Sequence, residues 1–375
     1  MTFELTEEQQ LLKDSVERFV RDNYELEKRR KISAADPGFS TDYWKQIAGL
    51  GWLGMPFSEA DGGFGGNQID TMVIMEQVGR GLMLEPFFAS IVLGGSVMRN
   101  AASADQKARI LPGVIDGTAQ LTLAYAEEQA RFDLHDITTT ARADAGGYVI
   151  NGRKCMVANA ATASHIIVST RTSGGQIDEK GISLFLVEAG AAGLELQNFP
   201  TVDGLRASEV TFKDVRVEAG ALLGKLDQGF PVLEMAAADG ILALSAEAVG
   251  AMEVLYKDTV EYTQQRVQFD HPLSEFQVLQ HRMVDMFMEY EQCKSLLFRA
   301  TLETVSGGSR TAQRTIHALK HLIGKCGIRI GEDAVQMHGG MGMTEELRIG
   351  HYFKRLLVID AQFGNAAHHL QKFAA

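Results

Sequence analysis

The sequence predicts an α+β chain in three parts: an all-α domain over 1–118, a β-barrel or sandwich over 119–223, and a four-helix bundle over 224–375. Two observations carry this reading. Apolar residues recur at helical spacing early in the chain, alternate with polar ones from Ala119, and return to helical spacing after Gly229. With 375 residues, 45% of them hydrophobic and 22% charged, there is material for two or three domains with real cores. The order helices, strands, helices is uncommon, and no internal repeat generates it.

The first helix is signalled by Thr6 with Gln9 three residues later, a capping box, followed by Leu12, Val16, Phe19 and Val20 on one face. Further helices are expected around 43–48, 71–79 and 105–110, separated by Pro37, Pro56 and the glycine loop at 62–66. In the middle part, 137–142 alternates, Gly146-Gly147 makes a turn, and 148–150 returns as a hairpin partner. Segments 165–170, 182–187, 209–212 and 215–217 continue the period of two. The last part offers long helices over 233–260, 276–305, 312–335 and 347–362, the number a four-helix bundle needs.

The net charge of −12 disfavours nucleic acid and anionic membrane surfaces. No stretch approaches the length of a membrane span, and MTFELTEEQQ lacks the basic and apolar regions of a signal peptide. Cys155, Cys293 and Cys326 form no CxxC pair, which suits a reducing cytoplasm and argues against disulfides or structural zinc. The glycines at 62–66 have neither Walker spacing nor a strand–GxGxxG–helix setting, so a tight inter-helix loop is expected. His317 and His321 stand four apart, but Ala318 occupies the place where a zincin has Glu; a surface or core pair is expected, and no metal.

Two segments carry more chemistry. One runs from Arg266 through Phe269 to Gln277; the other runs from Gln336 through Gly339 and Gly340 and is followed by Arg355. Together they offer a guanidinium, an aromatic face, two amides and bare glycine backbone. Such a set suits a dinucleotide: a forked donor for the pyrophosphate, a stacking surface for the adenine, and room for close backbone approach. Their plainer reading is a pair of helix–helix connections.

These segments resemble the R-x-x-F-G-x-P-x-x-x-F-Q and Q-x-x-G-G-x-G runs of the acyl-CoA dehydrogenase family, with Asp270 in the glycine place. Lesser matches run along the chain: Pro56 with 62–65, Asn151-Gly152-Arg153-Lys154, and 204–208 before a V-T-F strand. The resemblance spans essentially the whole sequence and implies an acyl-CoA dehydrogenase-like fold of the α–β–α kind. It also implies FAD as cofactor, acyl-CoA as substrate and desaturation to the 2,3-enoyl thioester. An electron-transferring flavoprotein is the implied electron acceptor. In such chemistry a carboxylate removes the α-proton while flavin accepts a hydride from the β-carbon.

Measured against that family, half of the machinery is missing. The usual Glu of a Y-E-G-T run falls at Gly364, and the alternative place on the first bundle helix falls at Gly240. Asp239 is the nearest carboxylate, one residue and about 100° of helix away. The T-E-P-x-x-G-S-D run reads Ala126 to Asp133, with Ala126 for Thr and Phe132 for Ser, and W-I-T reads Met156-Val157-Ala158. By family likeness the lost residues grip the flavin ring of the chain's own site. The retained set, Arg266, Phe269, Gln277, Gln336, Gly339 and Gly340, reaches a neighbour's cofactor. The expectation is a non-catalytic subunit resembling the small subunits of heteromeric acyl-CoA dehydrogenases, such as those acting on pimeloyl-CoA or sterol side chains. A catalytic subunit of the same family would be its partner, with FAD shared across the interface. Two other readings stay open: a self-sufficient homo-oligomer using Asp239 as an atypical base, and a flavin-free scaffold.

Overall fold

The computed structural model describes residues 4–375. Helix α1 (Glu7–Asn23) begins at Thr6, whose hydroxyl accepts from Gln9 N while the Gln9 side chain accepts from Thr6 N, the reciprocal cap that the sequence announces. It is followed by α2 (Leu26–Ala34), α3 (Thr41–Gly49), α4 (Gln68–Gly81), a π-helical stretch Phe88–Gly94 leading into α5 (Gly95–Ala101), and α6 (Ala104–Ile115). The glycine loop lies between α3 and α4. A Cβ on Gly63 would sit 2.3 Å from Phe57 O and 2.5 Å from Gly54 O, so the loop closes on its own chain.

The strands are β1 (Leu121–Ala124), β2 (Thr140–Asp144), β3 (Gly147–Ala158), β4 (His165–Arg171), β5 (Ile182–Glu188), β6 (Leu194–Pro200), β7 (Arg206–Glu218) and β8 (Leu222–Leu223). They form one sheet in the order β6-β7-β3-β2-β4-β5-β8, with β1 parallel to β4. β2 and β4 meet at a single pair, Thr140 with Arg171. The wings on either side share one core: Ile150 and Phe212 from one bury with Val168 and Phe185 from the other. The segments 209–212 and 215–217 are one strand, β7, because a bulge at Lys213–Asp214 on β7, opposite Ile150–Gly152 of β3, keeps the pairing going. β1 shows no alternation because it is buried at every position.

The C-terminal part comprises α7 (Phe230–Gln265), a hairpin of β9 (Val267–Gln268) and β10 (His271–Pro272), α8 (Gln277–His338), α9 (Arg348–Ala361) and α10 (Ala366–Ala374). Helix α8 reverses at Gly308, whose φ of 78° no helix accommodates. Its two arms are tied by Arg282–Asp333 at 3.5 Å and Arg329–Glu289 at 2.9 Å. The reversal returns Gln336 to the end where Gln277 starts. α7, the two arms of α8 and α9 make the expected bundle; α10 is an addition.

Two compact units divide the chain: Met1–Ala34, Gln68–Met83 and Ile241–Ala375 form one, Ala35–Asn67 and Leu84–Gly240 the other. Within the first, α4 and α7 touch backbone to backbone. A Cβ on Gly79 would lie 1.9 Å from Glu247 O, and one on Gly250 would lie 2.0 Å from Glu76 O. Arg355 is buried in the same unit and forks onto Glu247, with Nε to Oε1 at 2.6 Å and Nη2 to Oε2 at 2.8 Å. Its guanidinium therefore serves the interior. No helix among the described residues is long and apolar enough to cross a membrane.

Candidate functional site

In the first unit, Arg266 stands where α7 ends: its N–H donates to Tyr262 O, and its carbonyl accepts from Leu273 N, both at 2.8 Å. The hairpin then turns through Phe269 (φ 55°) and Asp270 (φ 65°). Two successive left-handed residues are what a tight two-residue hairpin needs, a geometry glycine and asparagine adopt most easily. Phe269 is 85% exposed, its ring edge-on to Phe276 with centroids 6.3 Å apart. Gln277 opens α8, Gln336 lies in its last turn, and Gly339 (φ 61°) ends it. Added Cβ atoms on Gly339 and Gly340 would meet nothing within 4 Å.

All six residues are exposed. Among the described residues, no hydrogen bond or ion pair engages the side chains of Arg266, Gln277 or Gln336. A free guanidinium, an open ring face, two uncommitted amides and approachable backbone make a surface with the donor set for a dinucleotide's phosphates and base. FAD fits this end on those grounds.

The region matched to the flavin-ring pocket differs. Glu127 and Lys154 are buried together, with Oε1 and Nζ 2.7 Å apart and side chains 1% and 0% exposed. Glu127 also accepts from Thr138 N at 2.8 Å, Thr139 N at 3.1 Å and the Thr138 hydroxyl. Lys154 also donates to Ser169 Oγ at 3.0 Å and Tyr125 O at 3.3 Å. Burial raises the Glu127 carboxyl, but the Lys154 charge and the threonine donors outweigh it and hold it at about 2. This pair pins the 126–139 loop to β3. Sequence reading passed over it, since nothing in spacing links residues so far apart. Beside it, Ala126 has no hydroxyl to offer. Met156 stands at a bulge in β3 with φ 53° and 56% exposure. Ala126 and Met156, at places where the family likeness has Thr and Trp, offer neither a hydroxyl nor a flat stacking face, so they do not fit a flavin ring.

The two base positions hold no carboxylate. Gly364 (φ 108°) is buried in the α9–α10 turn, and a Cβ there would lie 2.5 Å from His368 Cδ2 and 3.0 Å from His369 Nε2. Lys320, fully buried, donates to Gly364 O at 2.8 Å, Ile359 O at 2.8 Å and Asp360 O at 2.9 Å. Burial lowers this lysine to about 8, with the Asp360 charge pulling the other way. His369 Nε2 donates to Phe363 O at 2.9 Å, which leaves its Nδ1 to accept from His317 Nδ1, also at 2.9 Å. His321 Nδ1 donates to Ala366 O at 2.8 Å. Both histidines of the i, i+4 pair thus serve to dock α10, and no metal-binding cluster occurs among the described residues.

Gly240 is buried on α7 in the second unit. Its neighbour Asp239 accepts from Ser96 Oγ at 2.7 Å and Arg99 Nη2 at 3.3 Å. Burial lowers the Arg99 guanidinium, Asp239 opposes that fall, and the pair ties α7 to α5.

Known proteins similar to this chain point to one family. Family models match as "Acyl-CoA dehydrogenase, N-terminal domain" over 6–118, "middle domain" over 122–215 and "C-terminal domain" over 227–375. The chain is similar to the probable acyl-CoA dehydrogenase YngJ of Bacillus subtilis, 30% identical over 92% of this chain and 91% of that one. It superposes on the FAD complex of PigA with a TM-score of 0.92 at 26% identity, covering 100% and 98% of the two chains. It superposes on the Tcur3481-Tcur3483 steroid ACAD with a TM-score of 0.88, also at 26% identity, covering 98% and 97%.

Proposed function

The chain belongs to the acyl-CoA dehydrogenase family, and from that premise we propose that it is the non-catalytic subunit of a heteromeric, FAD-dependent acyl-CoA dehydrogenase. The observation that carries the reading is the closed turn at Gly364. Where the family's likeness puts a proton-accepting carboxylate, left-handed backbone and two histidines leave no room for one, and a lysine fills the space behind. A weakly acidic α-proton needs a nearby base that is poorly solvated. This chain supplies none at either place, and Asp239 is held by Ser96 and Arg99.

FAD, when bound, supplies the hydride acceptor. This chain's part is to bind and orient. Arg266 is the forked donor for a phosphate, and Phe269 is a face for a planar base. Gln277 and Gln336 are polar contacts, and Gly339 with Gly340 admits close backbone approach. The partner is a second member of the family that brings the Glu, the ring pocket and the acyl-CoA cavity. Electrons would leave through an electron-transferring flavoprotein, and the pair would work in the cytoplasm. The name of the steroid ACAD joins two protein names, which accords with a heteromer.

The chain expressed alone should purify colourless and leave acyl-CoA esters unchanged. Co-expressed with a family member that carries the Glu, the Thr and the Trp, it should yield a yellow, active complex. A yellow preparation of the single chain that reduces an electron acceptor with an acyl-CoA would overturn the proposal in favour of a homo-oligomer. A stable but flavin-free complex would overturn it in favour of a scaffold.

A further inference from the structure

The cofactor-facing residues come from two segments about 70 positions apart in sequence, so something must fix one against the other. We propose that the stacked pair Tyr262–His338 is the positioning element that sets the register of the guanidinium against the glycine turn. This rests on the reading of that end as a half-site for FAD.

The geometry is specific. The two rings lie with centroids 4.2 Å apart and planes 24° from parallel. Tyr262 stands one helical turn before Arg266 and accepts its N–H, so the tyrosine backbone directly anchors the arginine. His338 immediately precedes Gly339, where α8 ends. The stack therefore joins the last turn before the guanidinium to the last residue before the open backbone. The imidazole is held in one orientation, because Nδ1 donates to Ala334 O at 2.8 Å and the residue is 6% exposed. That bond puts the proton on Nδ1 and the lone pair on Nε2. One turn earlier on α7, Asp258 takes a fork from Arg348 of α9, with Nε and Nη2 both at 2.6 Å.

An aromatic stack of this kind contributes modestly to stability but strongly to relative placement. Removing it should leave the bundle folded and loosen how Arg266 and Gly339–Gly340 are presented. A cofactor contacted by both segments feels that loss. A flavin lacking the adenylate does not, because its ring is held by the partner subunit.

The test compares wild type, His338→Ala and His338→Phe, each assembled with the catalytic partner and titrated with FAD and with FMN. His338→Ala should weaken FAD about three- to tenfold, the equivalent of a lost aromatic pair, and leave FMN unchanged. His338→Phe keeps a stacking face and should come back to within about twofold of wild type for FAD. Amide exchange on the free chain gives an arm that needs no partner. Protection over 339–343 should fall in His338→Ala and recover in His338→Phe. Equal FAD affinity in all three proteins, equal loss of FAD and FMN, or a phenylalanine variant as weak as the alanine one would each overturn the inference. A wild-type complex that takes up no FAD would sink the half-site reading instead, and the amide exchange would still judge the stack.

Discussion

Gly339 and Gly364 both follow a bundle helix and both carry left-handed backbone, with φ of 61° and 108°. Around Gly339 an added Cβ would meet nothing within 4 Å, whereas around Gly364 it would run into two histidines. One turn is left open at the surface and flanked by uncommitted donors. The other is sealed from below by Lys320 and from the side by α10. The middle unit repeats the contrast on a smaller scale: the Glu127–Lys154 pair is fully satisfied, while Ala126 and Met156 offer a flavin ring nothing. The difference teaches that the loss is local and structured. On the proposed reading, residues that hold the fold and most of those that face outward are present, and the positions that family likeness assigns to the chain's own reaction are replaced or walled off.

The sharpest way to break this comparison is to put the family's carboxylate back. Gly364→Glu meets positive φ and a crowded ring at once, so it should lower the unfolding free energy by about 3 kcal/mol in denaturant titration. It should bring no desaturase activity to the isolated chain. Gly340→Ala should shift stability by less than about 0.5 kcal/mol. A stable, active Gly364→Glu protein would show that the turn is not closed.

Next in size is Arg266→Ala. Its guanidinium touches nothing internal, so the melting temperature of the free chain should stay put. The assembled pair should lose about ten- to a hundredfold in FAD affinity, the worth of a charge-assisted hydrogen bond. Loss of stability without loss of cofactor would reverse the assignment.

The closed turn also has a pH dependence. Burial first, then the Lys320, His317 and His368 charges, depress His369 to about 3 from an ordinary 6.5, against the pull of the Phe363 carbonyl. The unfolded chain therefore takes up this proton before the folded one. The stability tied to a neutral His369 is complete above about 6.5 and is lost as pH falls toward 3, at about 1.4 kcal/mol per pH unit. His369→Gln should remove that slope from the difference between variant and wild type, as read from unfolding curves across pH 4–7. An unchanged slope would mean that α10 is not held through this ring.

A small gain in stability belongs to Asp270→Gly. Asp270 sits at φ 65° in the place where the family likeness has glycine. Relieving the left-handed strain should stabilise the free chain by about 0.5–1 kcal/mol, a shift visible in thermal melts.

How much of this was legible beforehand depends on the range of the forces involved. The Thr6–Gln9 cap, the alternation over 148–150 and the helical runs on either side of Gly308 are local, and the sequence displays them. The segments around Arg266 and Gly339 were legible for the same reason, being short, exposed and written contiguously. β1 was hidden because burial at every position erases alternation. The Glu127–Lys154 pair and the contact of Lys320 with Gly364 O were hidden because each joins residues that only the folded chain brings together. His317 and His321 resembled a ligand pair in spacing alone; their partners, His369 and Ala366, both lie on α10, which periodicity over 347–362 did not reach.

The central claim is that one cofactor needs two different chains. Native mass spectrometry of the co-expressed pair, with flavin released and quantified from the same sample, addresses it directly. The account predicts equal numbers of the two chains and one FAD for every unlike pair. One FAD per polypeptide, or full occupancy in an assembly of this chain alone, contradicts it.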